Sequence, residues 1–201
     1  MTKDIFEERE RAEEAVYFHA QDEKLIEKLR ENAKLEEIAK ALAGSLQTNN
    51  PELLRQVVAL GVTLETGSAF LLAPLVQVAW ANGRITDRER ETVLRLAAAR
   101  GVEEGSPAQA QLLAWLQERP ADALFDTATE VIKAGLAVVP QDLREDRIKR
   151  IVQACHEVAE ASGDLAWILG LGSGVSHSEE LVLDAITRTL RSDRQAEDIG
   201  H

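Results

Sequence analysis

The sequence predicts an all-α protein, and three observations lead there. Apolar residues recur at spacings of three and four through almost every segment, the period of a helix with one buried face. Runs of β-branched residues alternating with polar ones, the pattern of half-buried strands, do not occur. The breaks between periodic segments carry helix punctuation, with Asn-Pro, Thr-x-x-Glu and Ser-Pro at starts and glycine at ends.

The elements follow in order. A long first helix is expected from about Asp4 to Ala43, closed by Gly44, with Leu25, Leu29, Ala33, Leu35, Ile38 and Leu42 at helical spacing. Asn50 then reads as an N-cap and Pro51 as the first helical residue of a helix closed by Gly61. The apolar run AFLLAPLVQVAWA lies in a helix expected from about Thr66 to Asn82. At 13 residues, with Gln77 and Pro74 inside, it is too short to span a bilayer and reads as core. Thr86 and Glu89 form a capping box opening a helix that ends at Gly101. Ser106-Pro107 opens the next, which carries Trp115. Further helices are expected over about Ala121–Val139, Gln141–Ser162 and Ser176–Arg191. The tail from residue 192 is polar. The resulting organisation is an N-terminal helix over 1–44, a helical bundle over 45–191 and a tail over 192–201.

Composition narrows the function. Thirty-five acids against 23 bases leave a formal net charge of −12 over 201 residues. Nucleic acid and anionic membrane both select basic surfaces, so neither is expected as a main partner. Cys155 is the sole cysteine, which rules out an internal disulfide and suits a reducing compartment. The N-terminus MTKDIFEERERAEE turns acidic at once, without an apolar or Arg-rich presequence, so a cytoplasmic location without membrane insertion is expected.

An internal repeat is visible. VAWANG (78–83) matches VAEASG (158–163), and ITDRE (85–89) matches VSHSE (175–179). Each copy reads as helix, small-residue turn, aliphatic residue and capping box, and two such helix pairs are expected to pack face to face. The second copy holds an insertion, DLAWILGLGSG, between turn and cap. Its glycines match neither a dinucleotide-binding nor a phosphate-binding loop, and Ser173 lies outside G-x-S-x-G. Trp167, Ile168 and Leu169 read as an apolar plug or a partner site.

The repeated turn resembles the tellurite-resistance TerB-like family of helical bundles, whose pattern is approximately A-D-G-x-I-x-x-x-E used twice. The matching residues are Ala81-Asn82-Gly83-Arg84-Ile85-Thr86-Asp87-Arg88-Glu89 and, interrupted by the insertion, Ala161-Ser162-Gly163 with Val175-Ser176-His177-Ser178-Glu179. The resemblance covers about residues 50–191. It implies a non-enzymatic stress or signalling module and, for some members, a divalent cation held by acids near the turns. Here Asn82 and Ser162 stand where the family has aspartate. The remaining candidate ligands are Asp87, Glu89, Asp164 and Glu179, so no cofactor is expected beyond a weakly held divalent cation. The competing role for Glu89 and Glu179 is to cap their own helices.

The first helix resembles a second family. FEERERAEEAVYFHAQDEKLIEKL is similar to the inhibitory segment of the mitochondrial ATP synthase inhibitor protein, through Phe6, Arg9, Glu10, Ala12, Glu13, Glu14, Tyr17, Phe18, Ala20 and Gln21. The similarity covers residues 6–38 and implies a helix that inserts between catalytic subunits of the synthase head and blocks rotation. Phe6, Arg9, Glu10, Glu13, Glu14, Tyr17, Phe18 and Gln21 are then the candidate partner-binding residues. The family's histidine-rich switch is missing, since His19 is the sole histidine before residue 156. The alternative is that Val16, Phe18 and Leu25 dock this helix on its own bundle or pair it with a second copy as a homodimer.

No other constellation suggests catalysis. Cys155 and His156 are neighbours and do not share a helix face, so Cys155 reads as a small core residue and a dyad is not expected. His177 is expected to face solvent, and Trp80 and Trp115 to line the core or a groove. The expectation is therefore a non-enzymatic binding or regulatory protein whose N-terminal helix engages a partner, with ATP synthase catalytic subunits the leading candidate. The alternative is a divalent-metal-responsive stress module whose first helix is structural.

Overall fold

The computed structural model describes residues 21, 24–30, 33, 36–162 and 175–192. The chain divides into two units, Met1–Ile38 and Ala39–His201. In the first, residues 21, 24–30, 33 and 36–38 are helical. Leu25, Ile26 and Leu29 form an apolar stripe there, and they are 57%, 47% and 59% exposed.

The second unit is all-α among its described residues. It opens on helical residues 39–46, labelled α1. There follow α2 (Pro51–Ala59), α3 (Gly67–Phe70), α4 (Ala73–Ala79), α5 (Asp87–Ala98), α6 (Pro107–Gln117), α7 (Asp122–Ala137), α8 (Gln141–Ala161) and α9 (His177–Arg191). Local chemistry accounts for the starts. The Asn50 side chain accepts from Glu52 N at 3.0 Å and Leu53 N at 3.3 Å, ahead of Pro51. Ser106 Oγ accepts from Gln109 N at 3.2 Å, ahead of Pro107. Such caps satisfy amides that the first turn leaves without partners. Gly61 and Gly101 close α2 and α5 at φ +77° and +86°, where a Cβ would be strained.

Helix α4 organises the bundle. Six of its seven residues are buried, Gln77 being the exception, and it packs against α5, α6, α7, α8 and α9. Its neighbours α8 and α9 also pack on each other and on α7, while α2 lies on α7 and α3 on α6. Phe70 and Phe125 are fully buried, each supplying about 1.5–3 kcal/mol of apolar burial. The repeat-bearing pairs meet directly, because α4 touches α8 and α9 while α5 touches α8. Among the described residues no helix is long and apolar enough to cross a membrane.

Two boundaries differ from the sequence reading. The single helix expected over Thr66–Asn82 is broken into α3 and α4 by a turn at Leu71–Leu72. Pro74 is the reason: it donates no amide and its ring opposes the carbonyl four residues back, so α4 restarts with Pro74 in its first turn. The first helix also passes Gly44 and runs to residue 46. Leu42 and Leu46, four apart, are 0% and 2% exposed, and burying both extends the helix by a turn. The left-handed residue is then Gln47, at φ +53°.

Candidate functional site

The site grows from the two capping boxes. At the end of α4 the chain turns through Ala81, Asn82 and Gly83. Gly83 N donates to Trp80 O at 2.9 Å with φ +81°, and Asn82 Oδ1 accepts from Arg84 N at 3.2 Å. Thr86 then caps α5. Its Oγ1 accepts from Glu89 N at 3.2 Å, while Glu89 Oε2 accepts from Thr86 N at 2.6 Å and Thr86 Oγ1 at 2.8 Å. The second copy repeats this. Ser176 Oγ accepts from Glu179 N at 3.3 Å, and Glu179 Oε2 accepts from Ser176 N at 2.6 Å.

The two boxes are joined. Asn82 Nδ2, from the first turn, donates to Glu179 Oε1 at 3.4 Å across 97 residues of sequence. Ser162, the C-cap of α8, has one hydroxyl proton shared between Ala159 O at 2.7 Å and Glu179 Oε2 at 3.3 Å. Asn82 and Ser162, which stand at equivalent turns of the internal repeat, thus both reach Glu179. The neutral side chains donate hydrogen bonds there, which a carboxylate at either place could not do.

Both carboxylates are fully buried. Glu89 Oε1 has no hydrogen-bond partner. Burial raises the Glu89 carboxyl above its ordinary range. The Thr86 hydrogen bonds oppose that rise, and the nearby Glu179 charge adds to it. A proton on Glu89 relieves both the desolvated charge and the repulsion. The arrangement can cap two helices, lock the two halves of the repeat together and store a proton.

The other candidates are dispersed. Asp87 is exposed at the first residue of α5, and Asp164 lies outside the described residues. No group of three or more His, Cys, Asp or Glu side chains assembles into a metal-ligand cluster among the described residues. Of the partner-binding residues, Gln21 is helical and exposed, while Phe6, Arg9, Glu10, Glu13, Glu14, Tyr17 and Phe18 lie outside the described residues, as does the insertion from Asp164 to Gly174. Cys155 is fully buried, and burial pushes its thiol up to about 12. His177 is 85% exposed in its side chain, 3.9 Å from Glu180. Trp80 donates through Nε1 to Trp115 O at 2.8 Å, which ties α4 to α6.

Sequence reasoning missed two features. One is the Asn82–Glu179 link, for which a polar residue repeated at the turn was the available signal. The other is a row of cations on α8, Arg144, Arg147 and Arg150, spaced by three and therefore on one face. No protein-family model matches the chain, and searches of curated proteins and of solved structures found no match either.

Proposed function

We propose that this is a non-enzymatic binding protein, in which the N-terminal helix is the arm that engages a protein partner and the bundle is its carrier. The observation that supports this reading is the stripe of Leu25, Ile26 and Leu29. Each is about half exposed on a helix, where burying an aliphatic side chain is worth about 1.5–3 kcal/mol. Leu29 lies four residues after Leu25 and three after Ile26, the i, i+3, i+4 spacing with which a helix lays an apolar face into a partner's groove. The resemblance of residues 6–38 to the ATP synthase inhibitor segment makes the catalytic head of that enzyme the leading candidate partner, with Tyr17 and Phe18 as anchors.

The test is inhibition of ATP hydrolysis by ATP synthase from the same source. Wild-type protein should inhibit, and Tyr17→Ala/Phe18→Ala should lose at least about 2 kcal/mol of binding, roughly thirtyfold, with an unchanged melting temperature. Leu25→Ser/Leu29→Ser should weaken inhibition in the same way. Hydrolysis untouched by the wild type removes the synthase. A double variant that melts several degrees lower makes the aromatics core residues. The second reading, a divalent-cation-responsive stress module, draws on the unpartnered Oε1 of Glu89, and a cation titration separates it from the first.

A further inference from the structure

The bundle carries an interaction surface whose charge runs against the rest of the protein. A groove of about 620 Å³ opens between α7, α8 and the turn joining α3 to α4. Leu71, Ile132 and Ile151 line its floor and are only half-buried, so aliphatic surface there stays within reach of water. Arg100, Arg147 and Arg150 line its rim and are exposed. Among the described residues no carboxylate lines it, in a chain with 35 acids and 23 bases. A second cleft, of about 670 Å³, shares Arg100 and Arg150 and adds Lys149 and Arg191. The acid among its described lining residues, Glu157, is already engaged by Arg95 at 3.1 Å.

The arginines on α8 are placed at a local cost. Arg147 has Arg144 and Arg150 three residues away on either side and Leu143 and Ile151 four away, so no acid neighbours it along its face. Like charges at this spacing destabilise a helix by a few tenths of a kcal/mol each. Of the acids on this helix, Asp146 lies 3.8 Å from Lys149 and Glu145 lies 3.7 Å from Arg191. Arg147 and Arg150 form no ion pair with any described residue. Arg100 donates to Leu96 O at 3.1 Å, and exposed guanidinium forks that lack an ion-pair partner among the described residues, beside an aliphatic floor, complement a ligand that is apolar on one side and carries carboxylates at its edge.

We propose that this groove docks an acidic amphipathic helix of a partner protein, its aliphatic residues on Leu71, Ile132 and Ile151 and its carboxylates on Arg100, Arg147 and Arg150. A fatty acid shares the anionic and apolar chemistry. In an open groove, though, an acyl chain leaves one side in water, whereas an amphipathic helix turns its polar back outward. This proposal does not rest on the N-terminal arm engaging a partner.

The experiment titrates the full-length protein with three fluorescein-labelled stapled helices of about four turns. One carries a leucine stripe flanked by glutamates, one the same stripe flanked by lysines, and one the glutamates with serine replacing leucine. The leucine–glutamate helix should bind at least about tenfold more tightly than the other two, and more weakly as salt is raised. Arg147→Gln/Arg150→Gln should weaken it by about tenfold or more with an unchanged melting curve, since both positions are exposed. Arg147→Glu/Arg150→Glu should reverse the preference toward the leucine–lysine helix. Equal binding of the acidic helix by wild type and the glutamine variant, or no binding by wild type, overturns the proposal. Displacement of the helix by dodecanoate below its micellar concentration, with Arg147 and Arg150 required, would reassign the groove to an anionic lipid and overturn the helix as occupant.

Discussion

Replacing Glu89 by glutamine should leave its cap in place and remove its liability. In the wild type, Oε2 accepts from Thr86 N and Oγ1, while Oε1 is buried without a partner. A glutamine carbonyl can accept both Thr86 bonds, and glutamine is an accepted capping-box residue. Its uncharged amide would stand where the unpartnered oxygen sits and would remove the repulsion from the Glu179 charge. A buried polar atom without a partner costs about 1–3 kcal/mol. Glu89→Gln should therefore gain about 1 kcal/mol at about pH 8, or about 3 °C in melting temperature for a chain of this size. Glu89→Ala, which loses the cap bonds and leaves a cavity, should lose about 2 kcal/mol. The sign with pH follows from the raised folded value. Between the unfolded and folded titrations the native state holds the extra proton, so wild-type stability should fall as pH rises through that window, by at most about 1.4 kcal/mol per pH unit. The glutamine variant should lack that slope. Urea unfolding between about pH 5 and about pH 8 reads both quantities. The reasoning fails if Glu89→Gln is destabilised as much as Glu89→Ala at high pH, or if the slope survives the substitution.

Gly44 and Gly83 should respond in opposite directions to alanine. Gly44 is helical, with nothing within 4 Å of an added Cβ, so Gly44→Ala should stabilise by about 0.5–1 kcal/mol; Gly83, at φ +81°, should lose about 1 kcal/mol, both read from urea midpoints. Cys155 should resist iodoacetamide at about pH 8 until the protein is unfolded, because the thiol is buried and pushed up to about 12; alkylation of the folded chain at the rate of a free thiol would contradict its core placement. Calorimetry with magnesium, calcium and zinc should show no site tighter than about micromolar, since Asn82 and Ser162 serve Glu179 as hydrogen-bond donors; a stoichiometric tighter site would favour the cation-responsive reading.

What the sequence determined by itself was short-range. The Asn50, Ser106, Thr86 and Ser176 caps and the closing glycines at 61 and 101 act over three or four residues, so helix existence and most ends could be read from local spacing. The internal repeat was legible for the same reason, and so was the capping role of Glu89 and Glu179. Even locally, competition decided two places. Burial of Leu46 carried the first helix past Gly44, and Pro74 divided a run whose apolar period was unbroken. Only the tertiary structure showed that the two caps meet. It set Asn82 against Glu179, left Glu89 Oε1 without a partner, and brought Arg100 beside Arg147 and Arg150 over one aliphatic floor. Those juxtapositions depend on how α4 and α5 pack against α8 and α9. Packing is governed by non-directional apolar burial, which a sequence pattern marks as a face without naming the face it will meet.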